Sequence, residues 1–300
     1  MAVYKKTYRP YDGGLTSRWT RFLVIPRYAF EELHRSRFLT LFYIATFIYP
    51  LICALIIYVQ HNVSALGLVG VEGANRLIAI NVTFFMSVLG WQSMLALFLA
   101  AFIGPGQVSP DLANNALSLY LARPFSRLEY VLGKLSVLVI LMSLMTWGPG
   151  LLLFGLEGYL EGFGWMRDNA RLAFGLFAGA WIWISILSLL ALALSAWVKW
   201  KPVAGALMFG VFFVAAGFGA AVNGVERTKW GNLLNIGSLI GNIWLRLFEG
   251  DAHTTNGAVF FRVAQGEDLP PWCCWGALAA LCLVCLYMLA RKIRGVEVVR

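Results

Sequence analysis

The apolar positions of this chain gather into six long runs separated by shorter mixed or polar segments. A helix rises about 1.5 Å per residue and a bilayer core is about 30 Å thick, so about 20 apolar residues are needed to cross it. Runs of that length cover residues 39–59, 77–104, 135–156, 172–198, 202–222 and 272–290. In the third, Gly148-Pro149-Gly150 predicts a kink or break, because proline lacks a donor and its ring collides with the preceding turn. Between their end turns the six runs contain no Asp, Glu, Lys, Arg or His. Buried ionisable groups mark proton and ion relays, so their absence argues against a proton-coupled carrier or an ion channel. Gln92, Ser93, Ser143, Thr146, Ser185 and Ser188 supply mild polarity. They read as contacts between packed helices, with a substrate path as the alternative.

The segments outside the runs also carry pattern. In residues 18–38, Trp19, Phe22, Pro26, Ala29, Phe30 and Leu33 recur at three- or four-residue steps. Arg18, Arg21, Arg27, Arg35 and Arg37 are placed to reach lipid phosphates. This predicts a short amphipathic helix on the membrane face, interrupted at Pro26.

The connection 105–134 opens with Ser109-Pro110-Asp111, which suits an N-cap, a first helical position and the positive helix end. Leu112, Ala113, Ala116, Leu119 and Tyr120 then share one face, with Asn114, Asn115 and Ser118 on the other. Pro124 disfavours a helical Arg123, so this helix should end there. Ser126 and Glu129 have the spacing of a capping box, which starts a new helix at Arg127 leading into the third run. Gly133 reads as a close-packing site, and Lys134, Lys199 and Lys201 as anchors at the membrane interface. In the connection 223–271, Leu233, Ile236, Ile240, Ile243 and Leu247 have helical spacing. That run is too short to cross, so a re-entrant or surface-lying helix is expected.

Composition and charge add the setting. Of 300 residues, 60% are hydrophobic and only 13% charged, against about 25% charged in a soluble domain. The net charge of +9 fits a basic rim facing anionic lipid better than a nucleic-acid partner. Lys and Arg number eight in the N-terminal tail, three in 105–134, two in the Lys199-Trp200-Lys201 turn and four after Ala290. The other three connections hold one, two and four. By the positive-inside rule both termini and 105–134 are expected in the cytoplasm. No cleavable signal peptide is visible, and the first span itself would direct insertion.

Several chemistries lack their residues. No G-x-x-x-x-G-K-[ST] occurs, so ATP hydrolysis through a P-loop is not expected of this chain. His34, His61 and His253 lie far apart, and none has an acidic neighbour at ligand spacing, so no metal site is expected. Cys53, Cys273, Cys274, Cys282 and Cys285 sit in or beside apolar runs and do not form a secreted disulfide pattern. The Cys282-x-x-Cys285 pair reads as packing. Without a catalytic constellation, an enzyme ranks last.

The stretch "ALSLYLARPFSRLEYVLGKL" resembles the connection between the second and third spans in type-2, exporter-like ABC transporter permeases. The resemblance rests on a leucine-rich short helix (117–121), the Arg123-Pro124 corner, the Ser126-Arg127 pair, Tyr130 and Gly133-Lys134. The topology fits along nearly the whole chain.

That resemblance implies an all-α polytopic membrane protein in a bacterial cytoplasmic (inner) membrane. It would have an elbow helix within 1–38 and a six-span permease domain over 39–300. It implies a dimer of permeases, or a pair of similar ones, bound to two separate ATPase subunits that hold ATP and Mg. Residues 105–134 would carry the coupling helix, with Asp111, Leu112, Asn115, Leu119, Arg123, Pro124, Ser126, Arg127 and Glu129 as ATPase-coupling candidates. The external segment would close the outer end of the path. A secondary carrier acting alone and a non-transporting membrane scaffold are the competing classes.

Overall fold

Proline sets the breaks in the first and third spans. In a computed structural model, which describes residues 24–62, 79–114, 116, 126–249 and 269–293 (the side chains of 31–35 excepted), the first span is split. It consists of α2 (Arg37–Ala45) and α3 (Ile48–His61). The break at Thr46 lies four residues before Pro50, where a proline ring meets the i−4 carbonyl. The freed Thr46 carbonyl accepts a hydrogen bond from Gln92 Nε2 at 3.1 Å. Gln92 thus ties the second span to the break in the first.

The third span repeats the device. It divides into α6 (Arg127–Met145) and α7 (Trp147–Glu161) at Thr146, whose backbone leaves the helical region with φ −101° and ψ −89°. Pro149 is again the cause, and its i−4 partner is Met145. The break therefore falls ahead of the Gly-Pro-Gly triplet, which itself lies in the first turns of α7.

The remaining helices are α1 (Val24–Arg35), α4 (Val82–Ile103), α5 (Pro105–Ala113), α8 (Phe163–Asp168), α9 (Ala170–Trp197), α10 (Lys201–Phe209), α11 (Ala215–Glu226), α12 (Ile236–Phe248) and α13 (Pro271–Lys292). A π-helical segment, Gly210–Val214, joins α10 to α11, and a 3-10 turn, Trp230–Leu234, precedes α12. Among the described residues there is no strand. Among the described residues, six helical stretches are long and apolar enough to cross a membrane: Arg37–His61, Val82–Ala113, Arg127–Glu161, Ala170–Trp197, Lys201–Glu226 and Pro271–Lys292. The protein is an integral membrane protein.

The core forms around α9, which packs against α4, α5, α6, α7, α12 and α13. Its Trp183 is fully buried and donates from Nε1 to the Ser93 carbonyl at 2.9 Å. The first, fifth and sixth spans are mostly exposed. Leu41, Val214 and Leu283 stand 69%, 71% and 66% exposed. In water this surface would be costly, but lipid tails or an apolar partner accommodate it. α7 ends at Gly162, whose φ of 107° only glycine adopts without strain, and the short α8 then leads into α9.

The segment before the last span, expected to be a re-entrant or surface-lying helix, forms a short helix buried within the bundle. α12 has 13 residues, about 20 Å of helix, too short to span the bilayer. Yet almost all its side chains are buried against α9 and α13. It runs antiparallel to α9: Trp244 Nε1 donates to the Gly179 carbonyl at 3.1 Å, and Arg171 donates to the carbonyls of Arg246 and Leu247 at 3.1 and 3.2 Å. Those carbonyls lie in the last turn of the helix, and a cation at that negative end is favourable. Arg171 also pairs with Glu249. The 3-10 turn folds back along α11, where Asn223 Oδ1 accepts from the Gly231 amide at 2.7 Å. The chain therefore leaves α11, turns back into the bundle and returns along α9.

Candidate functional site

The residues singled out between the second and third spans divide into described and undescribed ones. Asn115, Leu119, Arg123 and Pro124 lie outside the described residues, as does Arg21. The others frame the segment from both sides: Asp111 and Leu112 end α5, and Ser126, Arg127 and Glu129 begin α6.

The start of α6 has the geometry its sequence announces. Ser126 Oγ accepts from the Glu129 amide at 3.2 Å, and Glu129 Oε2 accepts from the Ser126 amide at 2.6 Å. This reciprocal box satisfies two donors at the helix start. Removing such a cap costs about 1 kcal/mol.

The end of α5 differs from expectation. The helix begins at Pro105, not Pro110, so Ser109 sits within it rather than capping it. Its buried hydroxyl donates to the Lys199 carbonyl at 2.6 Å. A serine from α9 does the capping instead. Ser195 Oγ accepts from the Val108 and Ser109 amides at 3.1 and 3.0 Å and donates to the Pro105 carbonyl at 2.9 Å. These are the early amides and carbonyl of α5, which a helix containing Pro105 and Pro110 leaves poorly paired.

Asp111 joins α5 to α6. Its Oδ2 lies 2.8 Å from Lys134 Nζ and accepts from the Tyr130 hydroxyl at 2.7 Å. Tyr130 is fully buried, and the Asp111 and Lys134 side chains are 17% and 13% exposed. Lys134 therefore turns inward to an ion pair, away from the interface role expected of it. Its Nζ also stands 5.7 Å from the Tyr130 ring centroid, a cation–π distance. Arg27, Lys199 and Lys201 are exposed.

The site is thus a corner pinned from three directions. α5 is held to α6 by Asp111, to α9 by Ser195 and to the turn before α10 by Ser109.

One cluster escaped the sequence. The α7 helix runs past Leu156, so Glu157, 3% exposed, becomes a buried carboxylate in a helix expected to lack one. His61 at the end of α3 meets it and Glu161. A separation of 100 residues between His61 and Glu161 hid the pairing. The i, i+4 spacing of Glu157 and Glu161 was the available signal.

Among the described residues, the fold is that of a helical membrane protein with six helical stretches long and apolar enough to span a bilayer and a short buried helix before the last of them. No protein-family model matches the chain, and none of the curated proteins compared with it does.

Proposed function

We propose that this chain is the membrane-spanning permease subunit of an ABC transporter, driven by a separate ATPase subunit to export a substrate or move it across the bilayer. The observation that carries this reading is the pinned corner. A chain without a P-loop or a charge relay through its spans needs an external motor, and a motor needs a stiff point of attachment. The start of α6 is fixed by the Ser126/Glu129 box, and the end of α5 is tied to α6 by the Asp111–Lys134–Tyr130 cluster. A push on the segment between them passes to α6 directly, to α9 through Ser195 and to α10 through the Lys199 turn. Movement of packed helices by small shifts is a common form of switching.

Supporting features are the six spans and the buried re-entrant α12, which stands at the end of the bundle away from the corner. The excess of Lys and Arg on the corner's side supports a cytoplasmic corner and cytoplasmic termini, and the proposed setting is a bacterial inner membrane. The exposed apolar faces of the first, fifth and sixth spans suit a second permease copy or a similar chain. The partner ATPase would hold ATP and Mg.

Charge reversal at the corner tests attachment. Arg123→Glu and Arg127→Glu are each expected to reduce the amount of ATPase that co-purifies with the chain, while membrane insertion is unchanged. If the two arginines only anchor to lipid headgroups, ATPase recovery stays at the wild-type level, and the attachment proposal fails.

A further inference from the structure

We propose that His61, Glu157 and Glu161 bind a divalent transition-metal ion that staples the first span to the third at the end of the bundle away from the corner. The argument begins with the histidine tautomer. His61 Nδ1 lies 2.9 Å from the Ile57 carbonyl oxygen. A carbonyl only accepts, so Nδ1 carries the hydrogen, and in the neutral ring Nε2 presents a lone pair. That lone pair faces Glu161 Oε1 at 3.3 Å and Glu157 Oε1 at 3.9 Å. Ionised carboxylates also present only lone pairs. Three acceptors directed at one point call for a positive centre between them, either a proton on the ring or a cation.

The geometry favours the cation. One ligand atom from each of the three residues lies within 4.8 Å of the other two. In tetrahedral coordination with bonds of about 2.0–2.2 Å, ligand atoms stand about 3.3–3.6 Å apart. Small rotations of the carboxylates reach that spacing. The Nδ1–carbonyl bond is also the second-shell contact that orients metal-bound histidine. Glu157 is largely removed from water at 3% exposure, a setting in which a nearby cation is favourable for a carboxylate.

The donor set selects the metal class. One imidazole nitrogen and two carboxylate oxygens suit zinc and its neighbours, whereas calcium and magnesium prefer all-oxygen shells and copper(I) prefers sulfur. Glu161 is 37% exposed and His61 18%. The ion can therefore enter from water on that side, and a water can fill a remaining position. His61 leaves α3 and the two glutamates leave α7, so the bound ion would join two separately broken spans beyond their proline breaks.

The test uses the full chain, purified without a polyhistidine tag, held in nanodiscs and stripped with a chelator. ZnCl2 is titrated while binding is followed by calorimetry and the unfolding midpoint by tryptophan fluorescence. One zinc per chain and a rise in the midpoint are expected. His61→Gln and Glu161→Gln should each weaken zinc binding by more than about ten-fold, the lower end of what even outer-shell changes cost. Glu161→Gln, at the exposed edge, keeps the test open if His61→Gln fails to fold. Absence of saturable zinc binding in the wild type, or equal binding in wild type and variants, overturns the proposal. A metal-free ion pair gives such a result: the variants then lower the midpoint without zinc, and zinc shifts none of the proteins.

Discussion

Replacing Asp111 by alanine is expected to destabilise the protein by about 3 kcal/mol. The change strips the Lys134 ammonium of its partner in a mostly buried setting and takes the acceptor from the Tyr130 hydroxyl. Removing one member of a buried pair costs about 3–5 kcal/mol, because the other charge remains without compensation. The residual exposure of both side chains puts this site at the lower end. The double change Asp111→Ala with Lys134→Ala should cost less than the sum of the two single changes, since it removes both charges together. The unfolding midpoint of the purified proteins measures this. Additive losses would show that the pair contributes nothing beyond its separate parts. The same variant should lower the ATP turnover of the assembled complex more than a distant change of equal stability cost, because it loosens the joint between α5 and α6.

The second large effect lies at the re-entrant turn. Gly219 of α11 and Gly231 of the 3-10 turn meet backbone to backbone, and a Cβ on either would sit inside van der Waals contact with the other's carbonyl oxygen. Neither carbonyl can move away without dragging its helix, so Gly219→Ala is expected to cost about 3 kcal/mol. The same helix offers a control two residues away. A Cβ on Gly217 meets nothing within 4 Å, so Gly217→Ala should be neutral or stabilise by up to about 1 kcal/mol, the helix propensity gained over glycine. Equal effects of the two substitutions on the unfolding midpoint would contradict the close contact.

The spans were legible because crossing a membrane demands length and apolarity, and both are local properties. The start of α6 was legible for the same reason: Ser126 and Glu129 are three residues apart and need no other part of the fold to meet. Proline predicted a break in the third span but placed it at the triplet itself, whereas the ring acts on the turn before it, at Thr146. The break near Pro50 obeys the same rule and follows from it.

The misreading of Ser109 has a different source. Its sequence context suits an N-cap, but the helix had already started at Pro105, and Ser195, 86 residues away, supplies the cap. Interhelix register decided that outcome, as it decided the pairings of Asp111 with Lys134 and of His61 with Glu157 and Glu161. Such contacts depend on how two helices rotate against each other, which no single helix encodes. The burial of α12 was half legible: its length excluded a crossing, but only the packing of α9 and α13 around it shows that its faces are buried in the bundle.

The central claim is that ATP hydrolysed on another subunit moves the spans of this one. It is tested most directly by isolating the untagged complex from its native membrane through an antibody to this chain, reconstituting it, and measuring ATP turnover. A separate P-loop ATPase should accompany the chain, hydrolyse ATP, and slow when Asp111→Ala is introduced into the permease. Recovery of the chain without any P-loop protein, with solute movement that persists after ATP is depleted, would contradict the account.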